Sequence, residues 1–139
     1  MGIFGFVILL VMLCIGLRSM ATALIDVPSV LITLGPPAGL LLFSFGSKFG
    51  SAFKVVFTKV ADREELRLGV AFFQRAKTYV VVSGVLGTLI GLIIMWTRTD
   101  DPAAIGPGMA LGMLTQVYPI LLAFGIIFPV VTSLQRRLA

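Results

Sequence analysis

Thr88 and Thr115 each sit deep inside a charge-free apolar run, and Gln116 and Tyr118 follow Thr115 closely. A hydroxyl both donates and accepts hydrogen bonds, so such a pair suits a shuttling proton or a partly dehydrated sodium ion. Polar groups at membrane depth usually face a bundle interior or a water-filled path. The competing reading is that each threonine bonds back to a carbonyl of its own helix and is satisfied without any further role. Histidine is absent, and no Cys or carboxylate cluster has metal-ligand spacing, so nucleophile-and-base catalysis and a metal site lack their parts. The chain is therefore expected not to be an enzyme and to carry no resident cofactor.

Glycines surround these hydroxyls at helical spacing. Gly84, Thr88 and Gly91 share one helix face, Gly87 and Gly91 stand four apart, and Gly108, Gly112 and Thr115 repeat the arrangement. Small residues at this spacing let helix backbones approach closely in lipid, where packing rather than a hydrophobic drive holds helices together. Gly84, Gly87, Gly91, Gly108 and Gly112 are read as helix-packing positions, and Gly35 and Gly39 carry the same signature.

The elements that position them are membrane spans. The chain is 58% hydrophobic and 12% charged, with a mean hydropathy of +1.09, beyond what a soluble core of 139 residues hides. A span takes about 20 apolar residues, and four uncharged runs qualify: 2–17, 27–47, 78–97 and 102–135. The first is short, but Arg18 can snorkel and residues 19–25 can continue the helix. An alternative makes residues 1–23 a secretory signal with Ala21-Thr22-Ala23 as its cleavage site, although the run lacks a basic start. The fold expected is all-α, a polytopic membrane protein with four transmembrane helices: helices one and two in 1–47, a helical segment in 48–77, helices three and four with a short tail in 78–139. Cys14 lies within the first run, where it is a small packing residue without a disulfide partner.

Charge asymmetry orients the spans. Lys48, Lys54, Lys59, Arg63, Arg67, Arg75 and Lys77 lie between runs two and three, and Arg136 and Arg137 follow run four, whereas Arg18 and Arg98 stand alone on the other side. Lys and Arg concentrate in cytoplasmic loops, which places both termini in the cytoplasm. Anionic lipid head groups account for the net charge of +5, and nucleic acid is not needed as a partner. In 48–77, Phe53, Phe57 and Val60 share a face, as do Leu66, Val70 and Phe73. Asp62 with Glu65 makes a helix start, and a helix from Arg63 running unbroken into the third span is roughly 50 Å long, so that it extends into the cytoplasm. The charges at Arg63, Glu64, Glu65 and Arg67 read as a solvated helix face, the alternative being a contact with a cytoplasmic partner.

The wording of the spans resembles a known family. Gly84-Val85-Leu86-Gly87-Thr88-Leu89-Ile90-Gly91-Leu92, Asp101-Pro102-Ala103-Ala104-Ile105-Gly106-Pro107-Gly108-Met109-Ala110 and Leu114-Thr115-Gln116-Val117-Tyr118 resemble the MotA/TolQ/ExbB proton-channel family, most of all its MotA-type stator subunits. Ile25-Asp26-Val27-Pro28-Ser29-Val30-Leu31-Ile32-Thr33-Leu34-Gly35 is similar to the family's turn into the second span, and residues 66–79 to its helix entering the third. The resemblance implies a homo-pentamer in the bacterial inner (cytoplasmic) membrane, around a pair of single-span partners of the MotB, TolR or ExbD kind that carry the titrating aspartate. It implies that Thr88 and Thr115 line the ion path, with Tyr118 a turn further on; Gln116 is added from its polarity. No acidic residue lies inside any span, in keeping with a partner that supplies the acid.

Two departures matter. Many MotA-like chains have a proline where this one reads Val81-Val82-Ser83-Gly84, and here the prolines inside spans include Pro36, Pro37, Pro119 and Pro129. The segment between runs two and three is also much shorter than the rotor-engaging domain of flagellar MotA. The first implies that the conformational coupling of the family is relocated or altered, and the second points to a compact ion-driven stator or force generator in another machine. The alternative is a scaffolding protein whose glycine faces assemble a homo-oligomer without conduction; a small-solute transporter is disfavoured because no span offers a charge.

Overall fold

The computed structural model describes residues 25–58, 61–97 and 99–139, with residues 7, 8, 11, 12, 15, 16 and 18 ahead of them. The expected first span thus lies largely outside the described residues, together with Cys14, the Ala21-Thr22-Ala23 site, Lys59, Val60 and Arg98. What is described is helical throughout: α1 (Val27–Phe45), a 3-10 turn (Gly46–Lys48), α2 (Phe49–Lys54), α3 (Arg63–Thr97), α4 (Pro102–Leu122), a π-helical turn (Ala123–Ile127) and α5 (Phe128–Leu138). Three helical stretches are long and apolar enough to cross a membrane: Val27–Lys54, Arg63–Thr97 and Ile105–Leu138.

Local chemistry sets the boundaries. Asp26 has extended backbone, and its carboxylate accepts from Ser29 N at 2.9 Å, capping α1 just ahead of Pro28. Gly46, with φ 48°, takes the left-handed conformation that ends α1 and that only glycine adopts freely. Asp101 caps α4 in the same way through Ala103 N at 3.0 Å, with Pro102 next. At the start of α3 the Glu65 carboxylate reaches back to Asp62 N at 3.3 Å, and α3 then runs 35 residues without interruption, as the sequence implies.

The helices make two zones of packing. Toward the end of α1 an apolar core gathers Leu41, Ala52, Val55, Leu66, Phe72, Phe73, Ala76, Ile127 and Leu134. Phe72 stands at its centre, with edge-on ring contacts of 5.0 Å to Phe45, 5.2 Å to Phe49 and 5.2 Å to Phe73. Leu66 and Phe73 are buried as the helical spacing indicates, whereas Phe53, within α2, and Phe57, beyond its end at Lys54, are exposed. Gly69 lets Leu134 and Val55 close over α3, and Arg137 donates to Thr58 O at 2.9 Å, so α5 ties the tail to the loop.

The second zone is the crossing of α3 with α4, the most extensive helix contact among the described residues, with α1 laid along it. The other faces of these helices expose Leu31, Leu40, Phe43, Val85, Leu89, Ile93, Ile120 and Phe124, an apolar exterior that suits lipid.

Candidate functional site

At the crossing of α3 and α4 the backbones come into contact. A Cβ on Gly91 meets Gly112 N at 2.6 Å and Gly108 O at 2.8 Å, and one on Gly84 meets Thr115 O at 2.6 Å. Pro119 has no N–H to give the Thr115 carbonyl inside α4, and that carbonyl lies instead against the bare backbone of Gly84. A Cβ on Gly87 meets the Thr115 side chain at 2.7 Å and Ile32 Cγ2 at 3.0 Å, so Gly87 faces the junction of all three helices. Gly108 and Gly112 complete the contact from α4, the latter with more room, its nearest neighbour standing at 3.6 Å. Gly35 and Gly39 have nothing within 4 Å, so their small-residue signature is not used within this chain.

The two threonines occupy opposite edges of this contact. Turning about 100° per residue, α3 points Gly84 and Gly91 at α4, sets Gly87 against α4 at the edge shared with α1, and puts Thr88 at the opposite edge. Thr88 is half-buried; its hydroxyl lies 3.0 Å from Gly112 O on α4 and 3.1 Å from Gly84 O, donating at the seam between the helices. Thr115 is fully buried on the α1 side, with its hydroxyl 2.9 Å from Leu111 O and 3.0 Å from Gly112 O. Both therefore bond to backbone carbonyls, and each keeps an acceptor lone pair. Gln116 is half-buried. Tyr118, also half-buried, accepts from Asp26 N at 3.3 Å and so pins the start of α1 to α4.

Three polar side chains that sequence reasoning passed over join this zone. Ser29 and Thr33 on α1 are fully buried, and Ser83 on α3 is 4% exposed. Ser83 donates its hydroxyl to Ile32 O. The reason is legible afterwards: Ile32 O is the carbonyl that Pro36, lacking an N–H, leaves without its helical donor, and α1 runs on through Pro36 and Pro37. A neighbouring helix that supplies the missing donor is how a membrane helix tolerates proline.

This substitution of donors can be measured. Ser83→Ala should lower stability in detergent by about 1 to 3 kcal/mol, because it strands a carbonyl turned into the packing between α1 and α3. Adding Pro36→Ala returns a backbone N–H to Ile32 O and should recover most of the loss. A double variant as unstable as Ser83→Ala alone would show that the hydroxyl does not replace the proline's missing donor.

The site thus has no charge and no metal-ligand cluster among the described residues, only hydroxyls, an amide, a phenol and exposed backbone. Such a surface can solvate or pass a small cation, but it holds no titrating acid of its own beyond Asp26 at the α1 cap. Comparison with known proteins is in keeping with this. Over 100 residues the chain is 34% identical to the uncharacterized protein YtxD of Bacillus subtilis, covering 71% of this chain and 37% of that one. It is 38% identical over 69 residues to the chemotaxis protein PomA of Vibrio alginolyticus, covering 50% and 27% of the two chains. Motility protein A of Aquifex aeolicus is 37% identical over 73 residues, 52% of this chain and 29% of that one. The chain thus spans only about a third of the length of these relatives. Residues 50–139, which hold both glycine-lined helices and both threonines, match the MotA/TolQ/ExbB proton channel family, to which this chain belongs.

Proposed function

We propose that the chain is a ring-forming subunit of an ion-driven stator or force-generating motor of the bacterial inner membrane, lining the ion path beside an Asp-bearing single-span partner. The observation that carries this is the Thr88 hydroxyl, half-buried at the edge of a charge-free, glycine-tight crossing of α3 and α4. An uncharged wall with a hydroxyl at its seam suits an ion whose titrating carboxylate comes from elsewhere. In this reading a fourth span in 1–24 precedes α1, both termini are cytoplasmic, and the first four turns of α3 project into the cytoplasm. Five copies surround the partner pair, and passage of H+ past Thr88 turns the ring relative to it. Gln116 and Tyr118 extend the polar wall along α4, and Thr115 acts from behind it by holding the Leu111 and Gly112 carbonyls.

One observation favours a second reading, a scaffold that only oligomerises: both threonine hydroxyls already have carbonyl partners. Reconstitution separates the two. Co-expressed with an Asp-bearing single-span partner and placed in vesicles, the chain should assemble around that partner and dissipate an imposed pH gradient. Dissipation of a sodium gradient instead would exchange the ion and keep the mechanism. A closed homo-oligomer that excludes the partner and leaves both gradients intact would establish the scaffold.

A further inference from the structure

Among the described threonines within the longer helices, Thr33 behaves differently from the rest. Thr78, Thr88, Thr97, Thr115 and Thr132 each donate to a carbonyl three or four residues back in their own helix. Thr33 makes no such bond, nor does Ser29 one turn earlier, and both hydroxyl oxygens are fully buried with no hydrogen-bond partner. Buried polar atoms are nearly always satisfied, and an orphan in a sealed polar site calls for an ordered water or ion.

Their surroundings define the site. Ser29 and Thr33 stand four apart on the buried stripe of α1, which continues as Pro37 and Leu41. Residues at this spacing have Cβ atoms about 5 to 6 Å apart, a gap that one water spans with a hydrogen bond to each hydroxyl. The stretch is clamped on both sides: Asp26 N binds Tyr118 OH on α4, and Ile32 O binds Ser83 on α3 while its side chain reaches the Gly87–Thr115 contact. The carboxylate next to this stripe, Asp26, is engaged by Ser29 N at the helix cap, and no ammonium lies on the stripe, so the chemistry that Ser29 and Thr33 offer is hydroxyl to hydroxyl, which suits neutral water.

We infer that Ser29 and Thr33 hold an ordered water inside the subunit, between α1 and the α3–α4 crossing, and that this water is a second leg of the polar path behind Thr88. The functional half of this inference rests on the conducting reading given above. The water joins the Tyr118 end of the seam to the Thr115 side of the crossing, and it makes α1 a working wall of the path rather than a lipid-facing brace.

Water-edited solid-state NMR of the protein in lipid bilayers tests the site directly, whether or not the complex conducts. Magnetisation from water should reach the Thr33 and Ser29 Cβ signals much faster than that of Leu41, the apolar member of the same stripe, and Thr33→Val should slow the transfer to Ser29. Transfer to Thr33 as slow as to Leu41 would overturn the inference. In the conducting complex Thr33→Val should lower proton flux several-fold while Thr33→Ser retains it. Unchanged flux together with a raised melting temperature in Thr33→Val would also overturn it, because a merely unsatisfied hydroxyl is relieved by an apolar isostere. A wild-type complex that passes no ions would count against the conducting reading alone, and the NMR comparison would still decide whether the hydroxyls hold water.

Discussion

Gly91→Ala should destabilise the protein by more than about 3 kcal/mol, the upper end of what overpacking usually costs, although alanine is the better helix former. The added methyl falls 2.6 Å from Gly112 N, 2.7 Å from its Cα and 2.8 Å from Gly108 O. All three are backbone atoms of a continuous helix, so no rotamer change relieves the clash, and α3 and α4 must separate. Separation breaks more than one contact. It withdraws Thr88 from Gly112 O and uncovers the Thr115 carbonyl at Gly84, so the polar seam opens together with the packing.

The same substitution elsewhere on the two helices supplies the control. At Gly112 the nearest atom to a new Cβ is Thr88 O at 3.6 Å, an ordinary contact, and Gly112→Ala should lie within about 1 kcal/mol of wild type. At Gly35 nothing lies within 4 Å, and Gly35→Ala should be neutral or stabilising in the isolated subunit. Thermal unfolding in detergent with size-exclusion profiles ranks the three. Equal losses at Gly91 and Gly112 would mean that the crossing is looser than described.

The sequence made some of this plain and hid the rest, for physical reasons. The 35-residue α3 was readable because Asp62 and Glu65 mark its start and Leu66 and Phe73 keep one face apolar into the span. Glycine spacing announced close packing, yet it could not say which partner each glycine meets: Gly84, Gly87 and Gly91 face α4, while Gly35 and Gly39, equally well spaced, face none. The candidate hydroxyls were visible by type, but that Thr88 and Thr115 lie at opposite edges of one contact depends on the rotation of α4 against α3. Ser29, Thr33 and Ser83 were overlooked because serine and threonine are ordinary in membrane helices. The available signal was Pro36, which orphans the Ile32 carbonyl and so requires a donor on a neighbouring helix. The π-helical turn Ala123–Ile127 between Pro119 and Pro129 had no signal beyond the prolines themselves.

The most informative functional variant combines Thr88→Val with Thr115→Val, which should suppress proton flux through the reconstituted complex at least roughly tenfold, equivalent to about 1.4 kcal/mol on the barrier. Valine keeps the shape of threonine and removes only the hydroxyl. Hydrogen bonds between membrane helices average about 0.6 kcal/mol, and the carbonyls concerned retain their helical partners, so assembly should survive. The single variants should differ. Thr88 is half-buried at the edge of the crossing and its hydroxyl reaches Gly112 O from α3 to α4, so Thr88→Val should produce most of the loss and Thr88→Ser should restore flux. Thr115 is sealed within the subunit and bonded to Leu111 O and Gly112 O, so Thr115→Val should act more weakly, through the carbonyls it orients. If Thr115→Val alone abolished flux while Thr88→Val left it whole, the path would run on the α1 side of the crossing instead. Undiminished flux in the double variant would remove both hydroxyls from the path and leave the glycine crossing as packing alone.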